Sequence, residues 1–365
     1  MSRFLVNPFS VIPSGPPVVT GFGTKLANYF TQSASNGSDW TSTGSTVFIA
    51  GTHNVTTTGL SAHSFNDSSG WGTRYANMSG TTFNVNCFAP KIRPNDNSRL
   101  IVMRRSPTYA YGINYTEGSG WGSTFTAPTA WSLGTNQNGR DMAFTSDGNV
   151  AFSTLNQSPY LKAWTFSSSG YGTLYANMAT APLNVFSITV NSTDNVVVGD
   201  TNSTSELAAF AWSGSGWGSK YANPSTGKTS AVGAQGGAKF TADDAAVIVP
   251  TGAGVAGQPQ MQAFAWSGSS WGTRYTDASS MATGVCGGAT ITPNKNVYAV
   301  AYNASPYIAM WQWNNATGFG TKASAPASPP SSVGLNASFS PSENWLLVNH
   351  SFSVTGASMY PTVKT

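Results

Sequence analysis

The sequence predicts an all-β fold, a seven-bladed β-propeller made of four-stranded antiparallel blades. Three observations predict it: a short motif that recurs seven times, a second series of polar turns at the same period, and the absence of any segment with helical periodicity. Four-stranded units that recur every ~40–50 residues are the sequence signature of propeller blades, and propellers usually have about four to eight of them.

The recurring motif is Gly-aromatic-Gly-Thr/Ser, and it is expected to form the outermost strand of each blade. It reads GWGTRYA from Gly70 and GWGSKYA from Gly216, and in one copy Ser270 replaces the first Gly. Successive aromatic residues of the motif are 46 to 54 residues apart, a regularity that chance does not produce. These aromatic residues are Phe22, Trp71, Trp121, Tyr171, Trp217, Trp271 and Phe319.

Polar clusters recur at the same period but out of phase with that motif. Each cluster, such as Asp147-Gly148-Asn149, comes directly before a short apolar run such as VAFSTL. Asp, Asn and Gly between β-prone runs indicate tight hairpins, because these residues tolerate a positive φ. One repeat therefore consists of an inner strand such as Ala143–Thr145, a hairpin, a second strand, an aromatic third strand and the outer strand.

The phase of the two series predicts how the ring closes. The first outer-strand motif, at Gly21, comes before any hairpin, and the last hairpin, at Glu343, is followed by no outer-strand motif. The N-terminal strand should therefore complete the seventh blade, whose other three strands come from Leu335–Tyr360, and remove the open edge of the array. The predicted domains are an extended, Pro-rich N-terminal arm, residues 1–20, and the propeller, residues 21–365.

This closure resembles that of WD40-type seven-bladed propellers. The segments Thr145–Asn149, Ser158–Tyr160 and Ser305–Tyr307, together with the outer-strand motif, resemble propeller repeats found in bacteriophage virion proteins. The sequence lacks the Gly-His and Trp-Asp pairs of WD40 repeats, so the hydrogen-bond network of those repeats is not expected here. The resemblance implies a structural protein located in a virion, with other virion proteins as partners.

Charged residues are scarce, at 8% of the chain against about 25% in an average domain. The 17 Lys and Arg residues against 13 Asp and Glu residues are scattered, so no nucleic-acid partner is expected. No apolar run approaches the roughly 20 residues of a membrane-spanning helix, and the N-terminal segment lacks the uninterrupted apolar stretch of a secretory signal. A weakly charged surface suits a component that packs into a particle.

The sequence nominates no catalytic or metal site. Ring closure could bring His350 near His53 and His63, but no HxH, HExxH or CxxC motif supplies further ligands. The acidic residues give no recognisable pair for glycoside hydrolysis. We therefore expect no enzyme activity, no cofactor and no bound metal.

Two further features have structural interpretations. Cys87 and Cys286 fall on inner strands several blades apart, which predicts two free, buried thiols and no disulfide. The segment Asp200–Glu206 faintly resembles a calcium loop, but it lacks the central Gly and final Glu of an EF-hand. It is expected to be an inter-strand loop.

The outer strands carry two sets of candidate contacts. Five of the seven positions two residues after the second Gly of the motif are basic: Lys25, Arg74, Lys220, Arg274 and Lys322. These residues either protect an exposed strand edge from pairing or form a basic girdle that meets an acidic partner. The Trp residues of the motif either pack between blades or stack on sugar rings, for which Trp121 and Trp271 are the candidates.

The N-terminal arm has two interpretations. Its prolines make it extended and stiff, and it is either a disordered tail or an arm that docks onto a neighbouring subunit. The apolar side chains that a docking arm would bury are Phe4, Leu5, Phe9 and Ile12.

Three functions are compatible with the sequence, since a propeller fold does not determine function. The first is a non-enzymatic structural component of a bacteriophage virion, attached to a capsid or tail by its arm and rim. The second is a glycan-binding propeller used for adhesion to a host surface. The third, a propeller enzyme such as a lyase or glycosidase, lacks the acid and His clusters that it would need.

Overall fold

The chain folds into a ring of seven four-stranded antiparallel sheets, which confirms the predicted seven-bladed β-propeller. The computed structural model describes residues 17–27, 35–51, 59–76, 87–104, 110–125, 139–201, 203, 206–228, 237–251, 261–278, 284–351 and 356–365. The only helical segment in these ranges is a single 3-10 turn, Ala242–Asp244. None of the described helical structure has the length and apolar character needed to cross a membrane.

Each blade is numbered by the order of its innermost strand, and its strands follow from the channel outward. Blade 1 is β2 (Ser35–Trp40), β3 (Thr46–Gly51), β4 (Leu60–Asn66) and β5 (Gly70–Arg74). Blade 2 is β6 (Cys87–Ile92), β7 (Arg99–Arg104), β8 (Ala110–Thr116) and β9 (Gly120–Phe125). Blade 3 is β10 (Gly139–Phe144), β11 (Val150–Leu155), β12 (Leu161–Ser167) and β13 (Gly170–Leu174).

The remaining blades follow the same order. Blade 4 is β14 (Val185–Val190), β15 (Val196–Thr201), β16 (Leu207–Trp212) and β17 (Trp217–Lys220). Blade 5 is β18 (Lys239–Phe240), β19 (Ala246–Pro250), β20 (Met261–Trp266) and β21 (Trp271–Arg274). Blade 6 is β22 (Cys286–Ile291), β23 (Val297–Tyr302), β24 (Ile308–Asn314) and β25 (Gly318–Lys322). Blade 7 is β26 (Gly334–Phe339), β27 (Trp345–His350), β28 (Ala357–Lys364) and β1 (Val19–Phe22).

The N-terminal strand β1 closes blade 7, as the phase of the repeats predicts. It pairs antiparallel with β28, and the partners Gly21 and Val363 lie opposite each other. Two reciprocal backbone hydrogen bonds extend this pairing at one end: the amides of Val18 and Thr365 each donate to the other's carbonyl at 3.0 Å. Strand β1 begins at Val19, so the ordered ring includes residues just before the predicted boundary at residue 21.

Apolar side chains from neighbouring blades meet in shared clusters, which explains why the second strand of each blade is apolar on both faces. Phe48 of blade 1 packs with Leu100 and Ile113 of blade 2, and all three are completely buried. Strand β3 is buried along its whole length. Burial of this kind supplies about 1.5–3 kcal/mol for each large apolar side chain and is spread evenly around the ring.

Two details differ from the sequence-based predictions. The inner strand of blade 3 runs from Gly139 to Phe144 and not from Ala143 to Thr145, because the polar residues that precede Ala143 continue the strand. Asp200 was expected to open an inter-strand loop, but it lies in β15 and is completely buried. It is held there by the ammonium group of Lys228, whose Nζ is 2.5 Å from its Oδ1.

The hairpins between the first and second strands are joined from blade to blade around one face of the ring, which we call the hairpin face. One hairpin residue with a positive φ recurs in every blade: it is the fifth hairpin residue in blade 2, whose hairpin is one residue longer, and the fourth in the other blades. Where this residue is Asp, Glu or Asn, its side chain reaches the preceding blade. Asp194 of blade 4 accepts hydrogen bonds from the amide and Oγ of Ser146, at 2.9 and 2.5 Å. The equivalent pairs are Asn97 with Ser42, Asp244 with Ser192, and Glu343 with Asn294.

Candidate functional site at the central channel

Seven side chains, one from each blade, form a ring around the central channel. In every blade the first hairpin residue donates its amide to the carbonyl of the first residue of the second strand, which fixes a common register. The residue two positions before that donor lines the channel, since side chains on a strand alternate between two faces. These residues, which we call the channel ring, are Asp39, Lys91, Ala143, Thr189, Lys239, Thr290 and Ser338.

The channel ring borders two cavities. One has a volume of about 430 Å³ and is walled by apolar side chains of blades 2 to 4. The other has a volume of about 250 Å³ and lies toward blades 6 and 7. Asp39, Lys91 and Lys239 line both cavities. Hairpin residues Ser42 and Ser146 also line the larger cavity, so it lies at the end of the channel near the hairpin face.

Asp39 and Lys91 form an ion pair across the boundary between blades 1 and 2. Their Oδ1 and Nζ atoms are 3.6 Å apart, and both side chains are half-buried. Oδ2 of Asp39 also accepts the amide of Ile92 at 2.8 Å. Burial acts to lower the pKa of Lys91, but the carboxylates of Asp39 and Asp141 outweigh it and raise that pKa above its ordinary value.

Asp141 lies one step deeper and joins blades 3 and 4. Its Oδ2 accepts the amide of Ile188 at 3.1 Å, and its Oδ1 accepts the amide of Met142 at 2.8 Å. The residue is 2% exposed. Burial raises the pKa of Asp141, and the ammonium groups of Lys239 and Lys91 act against that rise.

Lys239 is the second cation of the channel ring. Its pKa is lowered to about 8, because burial and the positive charge of Lys91 together outweigh the opposing effect of the carboxylates of Asp141 and Asp39. No hydrogen bond or ion pair joins its Nζ to the part of the chain that the structure describes. Its ammonium group is therefore held near two carboxylates without contact to either.

An arginine lies on the same strand as Asp141, in the direction away from the hairpins. The guanidinium carbon of Arg140 is 3.5 Å from the centre of the Phe186 ring, a cation–π contact between blades 3 and 4. Its Nη1 donates to Oδ1 of Asn184 at 2.9 Å. Burial lowers the pKa of Arg140 to about 10.

The five basic rim candidates differ in their surroundings. Lys220 forms an ion pair with Glu206, and Arg274 forms one with Asp277 at 2.5 Å. Nζ of Lys322 lies 5.5 Å from the centre of the Trp311 ring. Arg74 is exposed, and Lys25 is half-buried. Lys220, Arg274 and Lys322 thus contact acidic or aromatic groups of the chain itself. The basic girdle that would meet an acidic partner stays a prediction.

The tryptophans of the outer-strand motif are half-buried and make edge contacts with other aromatic rings. Trp121 lies against Phe48 of the neighbouring blade and Tyr115 of its own, with ring centres 5.8 and 6.0 Å apart. Trp271 lies against Trp266 at 4.8 Å. Packing thus accounts for part of each indole surface, and the glycan-stacking role of Trp121 and Trp271 stays a prediction.

Two histidines, His63 and His350, and both cysteines are buried. His63 and His350 are completely buried, and burial lowers the pKa of His63 to about 3 and that of His350 to about 4. Cys87 and Cys286 form no disulfide and are buried on inner strands, as predicted. Within the described ranges, no three His, Cys, Asp or Glu side chains are grouped so that they could hold a metal ion.

The docking-arm candidates Phe4, Leu5, Phe9 and Ile12, together with His53, lie outside the residues that the structure describes.

The charged members of the channel were not recognised from the sequence. Asp39, Lys91 and Lys239 lie on different blades, and their proximity depends on the closed ring. Aligning the seven hairpins would have revealed them, because the equivalent positions in the other blades are Ala, Thr or Ser. In a chain with 8% charged residues, a charge on an inner strand is an exception that indicates a site.

Comparison with known proteins identifies the fold. No protein-family model matches the sequence, and no curated protein sequence matches it. Solved structures do match, among them a chain of the "Crystal Structure of Mitotic Checkpoint Complex", with a TM-score of 0.63 and 12% sequence identity over 100% of this chain and 99% of that one. At this identity the similarity shows the architecture alone, a β-propeller.

Proposed function

We propose that the protein is a non-enzymatic structural component of a bacteriophage virion that acts through protein–protein attachment. The observation that carries this proposal is the closed ring with its linked hairpin face. Side-chain hydrogen bonds between neighbouring hairpins hold the blades together, so the propeller can serve as a rigid body on which other proteins assemble. Such a role requires no catalytic group.

Two further observations support an assembly role. The repeat resembles those of phage virion proteins, and only 8% of residues are charged, which limits electrostatic repulsion when copies pack closely. The solved chain with the same architecture belongs to a mitotic checkpoint complex, which is a multi-protein assembly. Candidate attachment surfaces are the basic rim, with exposed Arg74, and the N-terminal arm.

Phage particles purified from a lysate of the host that carries the gene provide the test. Quantitative mass spectrometry should find the chain at a fixed ratio to the major capsid protein, and cryo-electron microscopy should show seven-bladed discs at regular positions. An unrelated lysate protein of similar abundance serves as the contamination control. A chain that separates from the particles during density-gradient purification would contradict the proposal.

A second candidate function is binding of host-surface glycans. The half-buried indoles of Trp121 and Trp271 favour it, because an exposed aromatic face stacks on sugar rings. In a glycan array, we expect the Trp271→Ala variant to lose binding that the wild-type protein shows. Trp217→Ala, at the equivalent position of another blade, is the matched control for loss of packing. Equal binding by all three proteins would argue against a site at Trp271.

A further inference from the structure

The larger channel cavity combines an apolar wall with a lysine, Lys239, that makes no direct hydrogen bond or ion pair with the described residues. Its volume of about 430 Å³ lies within the range of small-molecule sites, roughly 300–1,000 Å³. The wall is supplied by five side chains of blades 2 to 4: Ile92, Met142, Phe144, Ile188 and Val190.

The charges around this cavity are not equivalent. Lys91 is paired with Asp39, and both carboxylate oxygens of Asp141 accept backbone amides. The ammonium group of Lys239 has no direct partner among the described residues. Lys239 is half-buried and lines the cavity, so its ammonium group is accessible from the cavity and can pair with a ligand that supplies one negative charge at this point.

We propose that this cavity binds a small organic monocarboxylate, whose carboxylate pairs with Lys239 and whose apolar body lies against the half-buried side chains of Phe144 and Val190. This site does not depend on the proposed virion role. It gives the channel a ligand that none of the sequence motifs indicates.

The surroundings of Lys239 favour one negative charge over two. The charged groups that face it are Lys91 on β6, Asp141 on β10 and Asp39 on β2. A phosphate dianion would bring its second charge close to the two carboxylates, where like charges repel. A neutral or cationic ligand would form no ion pair with the ammonium group. The apolar wall in turn favours a hydrocarbon body over a polar one.

Isothermal titration calorimetry with 3-methylbutanoate tests the proposal. The acid should bind at pH 7, whereas its amide, 3-methylbutanamide, and inorganic phosphate should bind at least tenfold more weakly. Lys239→Met should weaken binding of the acid at least tenfold. Lys322→Met removes the same charge on the outer strand of blade 6 and should leave binding unchanged.

The dependence on pH separates a direct contact from a structural effect. Because the pKa of Lys239 is about 8, affinity of the wild-type protein should fall by roughly tenfold for each pH unit above 8. Lys239→Arg keeps its charge at all these pH values, so its binding should persist at pH 9.5. This second variant keeps the test decisive if Lys239→Met does not fold.

Three outcomes of these binding comparisons would overturn the proposal, and so would an absence of binding. They are equal binding of the acid and its amide, tighter binding of phosphate than of the acid, and Lys239→Met binding the acid as the wild-type protein does. Absence of any binding by the folded wild-type protein at millimolar acid would also overturn it.

Discussion

Lys228 and Asp200 show how the protein treats its rare charges. Both side chains are completely buried, and Nζ of Lys228 also donates to the carbonyl of Thr201 at 2.6 Å. Burial raises the pKa of Asp200, and the adjacent ammonium group opposes that rise. Removing one partner of such a pair typically costs about 3–5 kcal/mol, because the other charge stays buried without compensation. Individual charged side chains in this protein occupy specific structural positions and do not make up a hydrated, charged surface.

The buried histidines predict sensitivity to acid. His63 has a pKa of about 3 in the folded protein against about 6.5 in an unfolded chain. The unfolded state therefore binds a proton that the folded state does not, and stability falls as the pH decreases from about 6.5 toward 3. Between pH 7 and pH 5 the contribution of His63 amounts to about 2 kcal/mol.

The variant His63→Gln should lose this part of the pH dependence. Urea unfolding at pH 7 and pH 5 measures it, as the difference between the two free energies of unfolding for each protein. His350→Gln is a parallel case, because the pKa of His350 is about 4. If the wild-type protein and both variants lose the same stability at pH 5, protonation of these histidines is not the cause.

At the scale of the element, the hairpins combine local strain with contacts between blades. A non-Gly residue with positive φ is strained, by roughly 1–2 kcal/mol. Asp194 (φ 56°) offsets this cost with hydrogen bonds to Ser146 of the preceding blade. Gly148 adopts a positive φ without strain because it has no side chain, and its carbonyl accepts a hydrogen bond from Nε of Arg93 at 3.0 Å. Hairpins with different residues at the positive-φ position thus share one backbone geometry, and each is still linked to a neighbouring hairpin by hydrogen bonds.

Asp194 and Lys295 form a matched pair for testing this link. Their φ angles are 56° and 57°, but the side chain of Lys295 makes only a 3.7 Å ion pair with Asp244. Asp194→Gly should destabilise the protein by about 1–3 kcal/mol, because charge-assisted hydrogen bonds are lost. Lys295→Gly should change stability by less than about 1 kcal/mol, because relief of strain offsets the added chain entropy. Thermal unfolding of both variants measures the contrast, and equal effects would argue against a stabilising link.

The repeat predicts the number, order and closure of the strands because each blade carries the same turn and outer-strand signals. It predicts strand boundaries and functional sites less well where these depend on side-chain contacts with neighbouring blades. The predicted inner strand of blade 3 began at Ala143, but β10 also includes Arg140 and Asp141, and the Asp141 carboxylate accepts the amide hydrogen of Ile188 in the next blade. No local pattern contains that contact. The channel site was missed for the same reason, since Lys91 and Lys239 meet only after the ring has closed.

At the scale of the whole molecule, strand β1 joins the beginning of the ordered ring to its end. The ladder with β28 is continued by the amides of Gly23 and Leu26, which donate to Pro361 and Met359 at 2.7 and 2.9 Å. Without β1, strand β28 would be left as an unpaired outer edge. The shared apolar cluster of blades 6 and 7, which includes Val19, would also be opened to water.

Deletion of residues 1–30 should therefore abolish cooperative folding. Deletion of residues 1–16 leaves β1 (Val19–Phe22) in place and is the matched control, for which we expect a single sharp transition. Circular dichroism during thermal unfolding measures both. An unchanged melting curve for the longer deletion would show that β1 is not needed to hold the ring closed.

The number of blades has a consequence for any symmetric partner. A ring of seven blades cannot have two-, three-, five- or sixfold rotational symmetry. Most closed assemblies form around axes of these kinds. The blades are also chemically distinct, since the channel ring carries its charges on blades 1, 2 and 5 only. A propeller centred on such an axis would present different contacts to each identical subunit. Attachment should therefore occur off the axis, through one or two blades, in a single orientation.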